Sequence, residues 1–259
     1  MNHKMTDRKK EYRPQGIVKL SQRLRRITDF VKEGSKIADI GTDHGFVPVY
    51  LAQMGRIQSA LAMDVRTGPL ERAREHIREY ERWAAEHSIE ACSVEARLSD
   101  GLKGLKRGEA DTVIIAGMGG ELEIRILEEG RHLWDSIKHW ILSPQSDLDQ
   151  VRHYLEDNGF AVVEEAMVKE EGKFYTIMSL VQGRMKYERP MEYLYGRCLI
   201  EKKDPVLREY LDQESRRIRN ICESLQNKGR KQMTEGRLRA YEALVQELAW
   251  IKEAQDEMW

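Results

Sequence analysis

The chain of 259 residues is poor in cysteine and has no long apolar run. Its three cysteines, Cys92, Cys198 and Cys222, lie far apart without zinc-ligand spacing, so we expect reduced thiols and no metal site. No apolar stretch approaches the roughly 18 residues that a membrane span needs. The first 16 residues are polar and lack the apolar segment of a secretory signal. We therefore expect a cytoplasmic protein that does not span a membrane.

A strong net charge is also missing, since the formal net charge is −1 at pH 7. This value excludes a uniformly basic nucleic-acid binder, but the charge is unevenly distributed. Residues 1–33 contain ten lysines and arginines against four acids, a local net charge of +6. A basic arm of this kind can contact phosphates, although a solvated leader without a partner has the same composition.

Short apolar runs alternate with segments of helical spacing along the first part of the chain. The apolar runs cover residues 37–40, 59–63, 91–96, 112–116 and 139–143. The helical segments cover residues 20–33, 69–84 and 147–158. Runs that are apolar throughout and alternate with helices predict an α/β fold with a parallel sheet covered on both faces.

The pattern changes after residue 159. The strings "FAVVEEAMV" and "KFYTIMSLV" are separated by only four residues, too few for a crossover helix, so we expect an antiparallel hairpin. Residues 205–226 and 234–254 then predict two amphipathic helices that pack as a coiled-coil hairpin. We accordingly expect three regions: a basic arm at 1–19, a sheet domain at 20–185 and a helical domain at 186–259. For the helical hairpin, a role in dimerisation or stability is the open alternative.

A glycine turn, Gly41–Thr42–Asp43–His44–Gly45, follows the first predicted strand and precedes a helix. This layout normally binds a nucleotide phosphate. However, the dinucleotide fingerprint requires glycines where Asp43 and Phe46 stand, and the chain has no Gly-Lys-Ser/Thr loop. Asp39 and Asp43 would repel a diphosphate and attract a ligand with an adenosine half and a cationic half. S-adenosylmethionine fits this description.

Acids and glycines also follow the later predicted strands. Asp64 ends the second strand, where a carboxylate can accept from both ribose hydroxyls. Asp100 follows the third strand and can accept from an adenine amino group. The fourth strand ends in the turn Gly117–Gly120, at the sheet edge where open α/β sheets carry their chemistry. Each feature alone is also consistent with a cap or an ordinary turn, but their order along the chain predicts a methyltransferase-type fold.

The strings "LSQRL", "IADIGTDHGFVPVYLA", "AGMGGE" and "LSPQSD" resemble those of the bacterial tRNA adenine-22 N1-methyltransferases, the TrmK family. The resemblance covers roughly residues 20–180. It implies a class I methyltransferase fold, a Rossmann-like seven-stranded sheet with the last strand antiparallel, and a C-terminal coiled-coil hairpin. It also implies S-adenosylmethionine as cofactor and N1 of adenine 22 in tRNA as the methylated atom. The chain departs from the family at Ser143–Pro144–Gln145, where relatives have Gln-Pro-Asn.

The resemblance further implies roles for individual residues. The methionine end of the cofactor would contact Asp39, Gly41, Thr42, Asp43, His44 and Gly45. Asp64 would bind the ribose, and Asp100 with Gly101 would bind the adenine. The target base would lie against Gly117, Met118, Gly119 and Gly120, with Gln145 as a further candidate. For His44, a packing or capping role at the start of a helix is the alternative interpretation.

Arginines are the predicted contacts to tRNA phosphates, and we expect the affinity for tRNA to fall steeply with salt. The candidates on the first helix are Arg23, Arg25 and Arg26. The candidates in the helical hairpin are Arg216, Arg217 and Arg219. Exposed arginines that are only solvated are the plain alternative.

The expected reaction needs little acid–base chemistry, because N1 of adenine carries a free lone pair at neutral pH. We expect catalysis to come from alignment of the reacting atoms, with the target nucleotide unstacked. A fold does not determine a substrate, so a small-molecule or protein methyltransferase and an inert RNA-binding module are the alternatives. A metal-dependent hydrolase using Asp39, Asp43, His44 and Asp64 is disfavoured, because Asp64 belongs to a different strand from the other three.

Overall fold

The computed structural model describes residues 18–227 and 234–258, so residues 1–17 of the predicted basic arm lie outside the described residues. The described strands are β1 Ser35–Ile40, β2 Ile57–Asp64, β3 Ser93–Leu98, β4 Thr112–Ala116, β5 His139–Ser143, β6 Phe160–Glu170 and β7 Lys173–Gln182. They form one sheet in the order β3-β2-β1-β4-β5-β7-β6. All seven strands of this sheet lie between Ser35 and Gln182.

Six of the seven strands point in the same direction, and β1 to β5 pair directly in parallel, as the alternation of apolar runs and helical segments predicts. β1 pairs in parallel with β2 and β4, β2 with β3, and β4 with β5. β7 is antiparallel to both of its neighbours, β5 and β6, so the predicted hairpin is confirmed and its second strand is inserted into the sheet. The hairpin turn consists of Glu171 and Gly172 alone, with φ values of 49° and 78°. Positive φ at both turn residues matches the twist of the paired strands, which lets them extend further than predicted.

Helices cover both faces of the sheet. The helices up to the end of the sheet are α1 Gln22–Asp29, α2 Phe46–Gln53, α3 Thr67–Glu86, α4 Gly120–Glu129 and α5 Leu148–Asp157, with a 3₁₀ helix at Arg131–Ser136. Alternate residues of a strand point to opposite faces, so Ile37 and Ile114 pack with α1 to α3, while Ala38 and Val113 pack with α4 and α5. The parallel sheet covered on both faces is therefore confirmed.

Two local features differ from the sequence prediction. β3 begins at Ser93, two residues later than the apolar run, because the backbone N–H of Cys92 donates to the Tyr80 hydroxyl at 3.0 Å instead of to a strand. The helix α4, which the periodicity did not predict, begins directly at Gly120 after the glycine turn. This early start brings the first turn of α4 to the carboxyl edge of the sheet.

The last part of the chain is helical. It contains α6 Pro190–Tyr195, α7 Arg197–Glu201, α8 Pro205–Asn227 and α9 Glu235–Met258. Leu211 and Ile218 of α8 form an apolar cluster with Ile251 and Ala254 of α9, as the amphipathic pattern predicts. Met167 of β6 belongs to the same cluster, so the helical pair rests on the edge strand of the sheet. The domain boundary near residue 186 stays a prediction. None of the helices in the two described ranges has the length and apolar character to cross a membrane.

Candidate functional site

A cavity of about 560 Å³, the main cavity, opens at the carboxyl ends of β1, β2 and β4, where the strand order reverses. Open α/β sheets bind their ligands at this position. The predicted residues on the side of β1 to β3 are Gly41, Asp43, Asp64, Asp100 and Gly101. Those on the side of β4 and β5 are Gly117, Met118 and Gln145. A side cavity of about 80 Å³ shares Arg23, Gly41, Asp43 and Ala116 with it and also reaches Asp39 and Thr42.

Gly41 shapes the turn after β1. Its backbone N–H donates to the Met63 carbonyl at 2.8 Å, and its φ of 70° lies in the region that favours glycine. A Cβ atom at this position would lie only 2.1 Å from the Met118 methyl carbon. The glycine therefore lets the turn after β4 approach the turn after β1, which brings the two walls of the main cavity together.

Asp39 lies at the end of β1 and is 5% exposed. Its carboxyl accepts a hydrogen bond of 2.6 Å from the Thr42 hydroxyl. Burial raises the pKa of Asp39 to about 7; the Thr42 hydrogen bond opposes this shift, and the nearby carboxylates Asp64 and Asp43 add to it. A cation bound beside Asp39 would favour its ionised form.

Two further acids border the main cavity in different environments. Asp64 is 3% exposed, and its Oδ1 accepts from the backbone N–H of Arg66 at 2.8 Å. The hydrogen bonds to Asp64 from the described residues all use Oδ1, which leaves Oδ2 for a ligand. Asp100 is exposed and pairs with Lys103 at 2.5 Å, a hydrogen bond that lowers its pKa. These carboxylates can accept from hydroxyl and amino groups of a ligand.

The turn after β4 contains both cavity-lining and packing glycines. Gly117 has a φ of 83° and donates from its N–H to the Ser143 carbonyl at 3.1 Å. The Met118 carbonyl accepts from the Gln145 N–H at 2.8 Å, so the loops after β4 and β5 form one wall. Gly120 packs outside the cavity lining, where a Cβ would lie 2.6 Å from the carbonyl oxygen of Ser146. Gly119 likewise faces the Ser146 hydroxyl.

His44 and Gly45 lie behind the turn and line neither cavity. A Cβ on Gly45 would lie 3.0 Å from the Ala73 Cβ, so this glycine allows α3 to approach closely. The His44 ring stacks on Phe46 with centroids 5.2 Å apart, and its Nε2 lies 3.3 Å from a guanidinium nitrogen of Arg72. The geometry supports the packing alternative given for His44 and a packing role for Gly45, and direct cofactor contact by either residue stays a prediction.

The predicted RNA-binding arginines fall into separate places. Arg23 reaches into both cavities, whereas Arg25 is exposed and Arg26 pairs with Asp29 at 3.2 Å. The three arginines of α8, Arg216, Arg217 and Arg219, are all exposed. Arg217 pairs with Glu214, and Arg216 donates to the Asp212 carbonyl at 3.0 Å. The structure thus brings only the first of the six predicted residues to the cavity wall.

Several lining residues escaped the sequence analysis. Arg66 and Val65 directly follow Asp64, so their place after the second strand was a usable signal. Leu122 and Arg125 lie on α4, and they were missed because that helix was not predicted. Within residues 18–227 and 234–258, no group of three His, Cys, Asp or Glu side chains is placed to hold a metal ion.

Comparison with known proteins identifies relatives of this chain. A family model described as a methyltransferase domain matches residues 20–178. The tRNA (adenine(22)-N(1))-methyltransferase of Bacillus subtilis is 30% identical over 217 residues, which cover 80% of this chain and 86% of the relative.

Solved structures agree with the sequence comparison. The crystal structure of B. subtilis TrmK, an m1A22 tRNA methyltransferase, is 27% identical and superposes with a TM-score of 0.77 over 92% of this chain and 99% of that chain. A Streptococcus pneumoniae protein crystallised with S-adenosyl-L-methionine is 30% identical, with a TM-score of 0.75 over 91% of this chain and 99% of that chain. The chain belongs to the TrmK family of class I S-adenosylmethionine-dependent methyltransferases.

Proposed function

We propose that this chain transfers a methyl group from S-adenosylmethionine to N1 of adenine 22 in tRNA. The observation that carries the proposal is the set of carboxylates around one glycine-lined cavity at the switch point of the sheet. Asp39, Asp43 and Asp64 suit a cofactor that is positively charged and rich in hydroxyls. They do not suit a diphosphate.

The residues present fit this cofactor. A volume of about 560 Å³ lies in the range of roughly 300–1,000 Å³ that small-molecule sites occupy. We assign the ribose to Asp64, whose Oδ2 is free of hydrogen bonds from the described residues, and the adenine to the exposed edge formed by Asp100 and Gly101. The methionine part then lies against Gly41, with Asp39 and Asp43 nearby to accept from its ammonium group.

The chain's own residues bind and orient in this reaction. S-adenosylmethionine, when bound, supplies an electrophilic methyl group on a sulfonium. The N1 lone pair of adenine attacks without a general base, so the protein contributes chiefly by holding the two partners in line. The Met118 carbonyl, which accepts from the Gln145 N–H, and the Gln145 side chain are both candidate acceptors for the adenine amino group.

The target nucleotide must leave its stack to reach this cavity. Arg66 and Arg125 line the main cavity and are exposed, so we propose that they contact phosphates flanking the target base. A cytoplasmic location, where tRNA is modified, belongs to the same proposal.

Methyl transfer to unmodified tRNA tests the proposal directly. Labelled S-adenosylmethionine is incubated with a transcript that carries adenine 22 and, as control, with the same transcript carrying guanine at that position. We expect 1-methyladenosine in digests of the first transcript alone. Label at another nucleotide would indicate a different substrate, and cofactor binding without any transfer would indicate an inert module.

A further inference from the structure

Arg23 is held at the edge of the cavities by the first turn of α1. Ser21 caps this helix by accepting from the Leu24 N–H at 3.3 Å. The backbone N–H of Gln22 donates to Glu170 Oε1 at 2.6 Å, which ties the start of α1 to the hairpin of β6 and β7. The backbone beneath Arg23 is therefore fixed on both sides.

The Arg23 side chain turns inward from this anchor. Its guanidinium carbon lies 5.0 Å from the centroid of the Tyr175 ring, and a Cβ added to Gly117 would lie 3.4 Å from its Nη1. The side chain lines both the main cavity and the side cavity. The guanidinium therefore lies between the Tyr175 ring and the turn at Gly117, in the wall of both cavities.

The Arg23 guanidinium lacks a complete set of acceptors. Its Nη1 is buried and has no hydrogen-bond partner among the described residues. An arginine stays charged at physiological pH, and a buried donor without an acceptor is unfavourable. A ligand that supplies an oxygen anion at this point would satisfy the group.

The residues around Arg23 indicate which anionic group of the cofactor it would bind. The side cavity contains Arg23 together with Asp39, Thr42 and Asp43, and its lining does not include Asp64 or Asp100. With the ribose and adenine at Asp64 and Asp100, this is the methionine end of the cofactor. The carboxylate on that methionine part is the cofactor's anionic group.

We propose that Arg23 binds the α-carboxylate of S-adenosylmethionine, while Asp39 and Asp43, which line the same side cavity, accept from its α-ammonium. This assignment rests on the proposed function, since it requires that the cavity hold this cofactor. The positive Arg23 would then face the α-carboxylate, and the negative acids would face the α-ammonium. The side cavity of about 80 Å³ does not admit a nucleotide backbone, so an RNA phosphate could reach Arg23 only from the main cavity.

Binding of two cofactors by calorimetry tests the assignment. One is S-adenosylmethionine and the other is its decarboxylated form, which keeps the adenosine, sulfonium and amine. For Arg23→Gln we expect the affinity for S-adenosylmethionine to fall by about 10- to 100-fold, as for loss of a hydrogen bond to a charged group. The affinity of this variant for the decarboxylated cofactor should equal that of the unchanged protein.

Two further variants serve as controls. Arg74→Gln removes an arginine of α3 that pairs with Glu71 outside both cavities, and it should leave the binding of both cofactors unchanged. Arg23→Lys keeps the charge without the planar fork, so we expect an intermediate loss for S-adenosylmethionine alone.

Each contrary result has a distinct meaning. If Arg23→Gln lost the same affinity for both cofactors, Arg23 would only support the cavity wall, and the assignment would be overturned. Unchanged cofactor binding with weakened tRNA binding would place Arg23 on RNA and also overturn it. If the unchanged protein bound neither cofactor, the proposed function itself would fail, and this outcome is visible before any variant is made.

Discussion

Two sets of buried charged groups, one at the junction with the helical region and one at the cavities, differ in how completely they are paired. At the junction, Arg152 and Glu165 are both 0% exposed and lie 2.7 Å apart. Arg152 Nη1 also donates to the Tyr193 carbonyl at 2.6 Å, and Glu165 Oε2 accepts from the Cys198 N–H at 3.1 Å. Every part of this pair has a partner within the chain.

The groups at the cavities are paired only in part. Asp39 has the Thr42 hydroxyl as its hydrogen-bond donor and a pKa raised by burial to about 7. Asp64 uses only Oδ1, and the buried Nη1 of Arg23 has no partner among the described residues. The complete pairing holds two parts of the fold together, whereas the incompletely paired groups that line a cavity leave donors and acceptors available to a ligand. The two sets therefore differ both in pairing and in their access to a cavity.

The largest expected effect follows from breaking the complete pair. Arg152→Ala leaves the Glu165 carboxylate buried without its cation, so we expect the free energy of unfolding to fall by about 3–5 kcal/mol. Chemical denaturation measures this change. Arg197→Ala, which removes a half-exposed arginine paired with Glu201, should cost only about 0.5 kcal/mol. A similar small loss for Arg152→Ala would show that the junction does not depend on the ion pair.

An intermediate effect is expected from removing an incompletely paired acid. Asp64→Ala takes away the acceptor assigned to the ribose hydroxyls, and we expect the affinity for S-adenosylmethionine to fall by about 100-fold or more. Calorimetry measures the affinity, and Asp135→Ala, an exposed acid paired with Arg107, is the matched control. If Asp64→Ala bound S-adenosylmethionine as tightly as the unchanged protein, the assignment of Asp64 to the ribose would be wrong.

The smallest expected effect is a pH dependence that arises from Asp39. Because its pKa is near 7 without ligand, its ionised fraction rises about tenfold between pH 6 and pH 8. Since the cofactor ammonium favours the ionised carboxyl, we expect the affinity for S-adenosylmethionine to rise by up to about tenfold over this range. Calorimetry in buffers of different ionisation enthalpy should also detect proton release on binding.

Asp39→Asn is the matched variant for this pH dependence. Its amide oxygen can still accept from Thr42, but it does not titrate, so its affinity should be flat between pH 6 and pH 8. A profile identical to that of the unchanged protein would assign the titration to another group. The stability of the ligand-free protein has the opposite pH dependence from its affinity for the cofactor. The folded pKa of Asp39 exceeds its unfolded value, so its contribution to stability is present at low pH and is lost as pH rises from about 4 to about 7.

Much of the sheet was predictable because its signals are local. Apolar runs such as those of β1, β4 and β5 report burial on both faces, and the short connection between β6 and β7 requires an antiparallel pair. The acids at the strand ends were predictable for the same reason, since parallel strands bring their carboxyl ends to one edge. The start of β3 was not predictable, because it depends on the Tyr80 hydroxyl of a separate helix.

The sequence by itself determined the α/β fold, the glycine turn with its acids and the family to which the chain belongs. Each of these depends on residue types at short spacing. Only the tertiary structure decided that Arg23 lines both cavities while Arg25 and Arg26 line neither, and that His44 and Gly45 also line neither. A side chain's surroundings depend on elements far away in the chain, here Tyr175 and Gly117 around Arg23, and helical spacing carries no information about them.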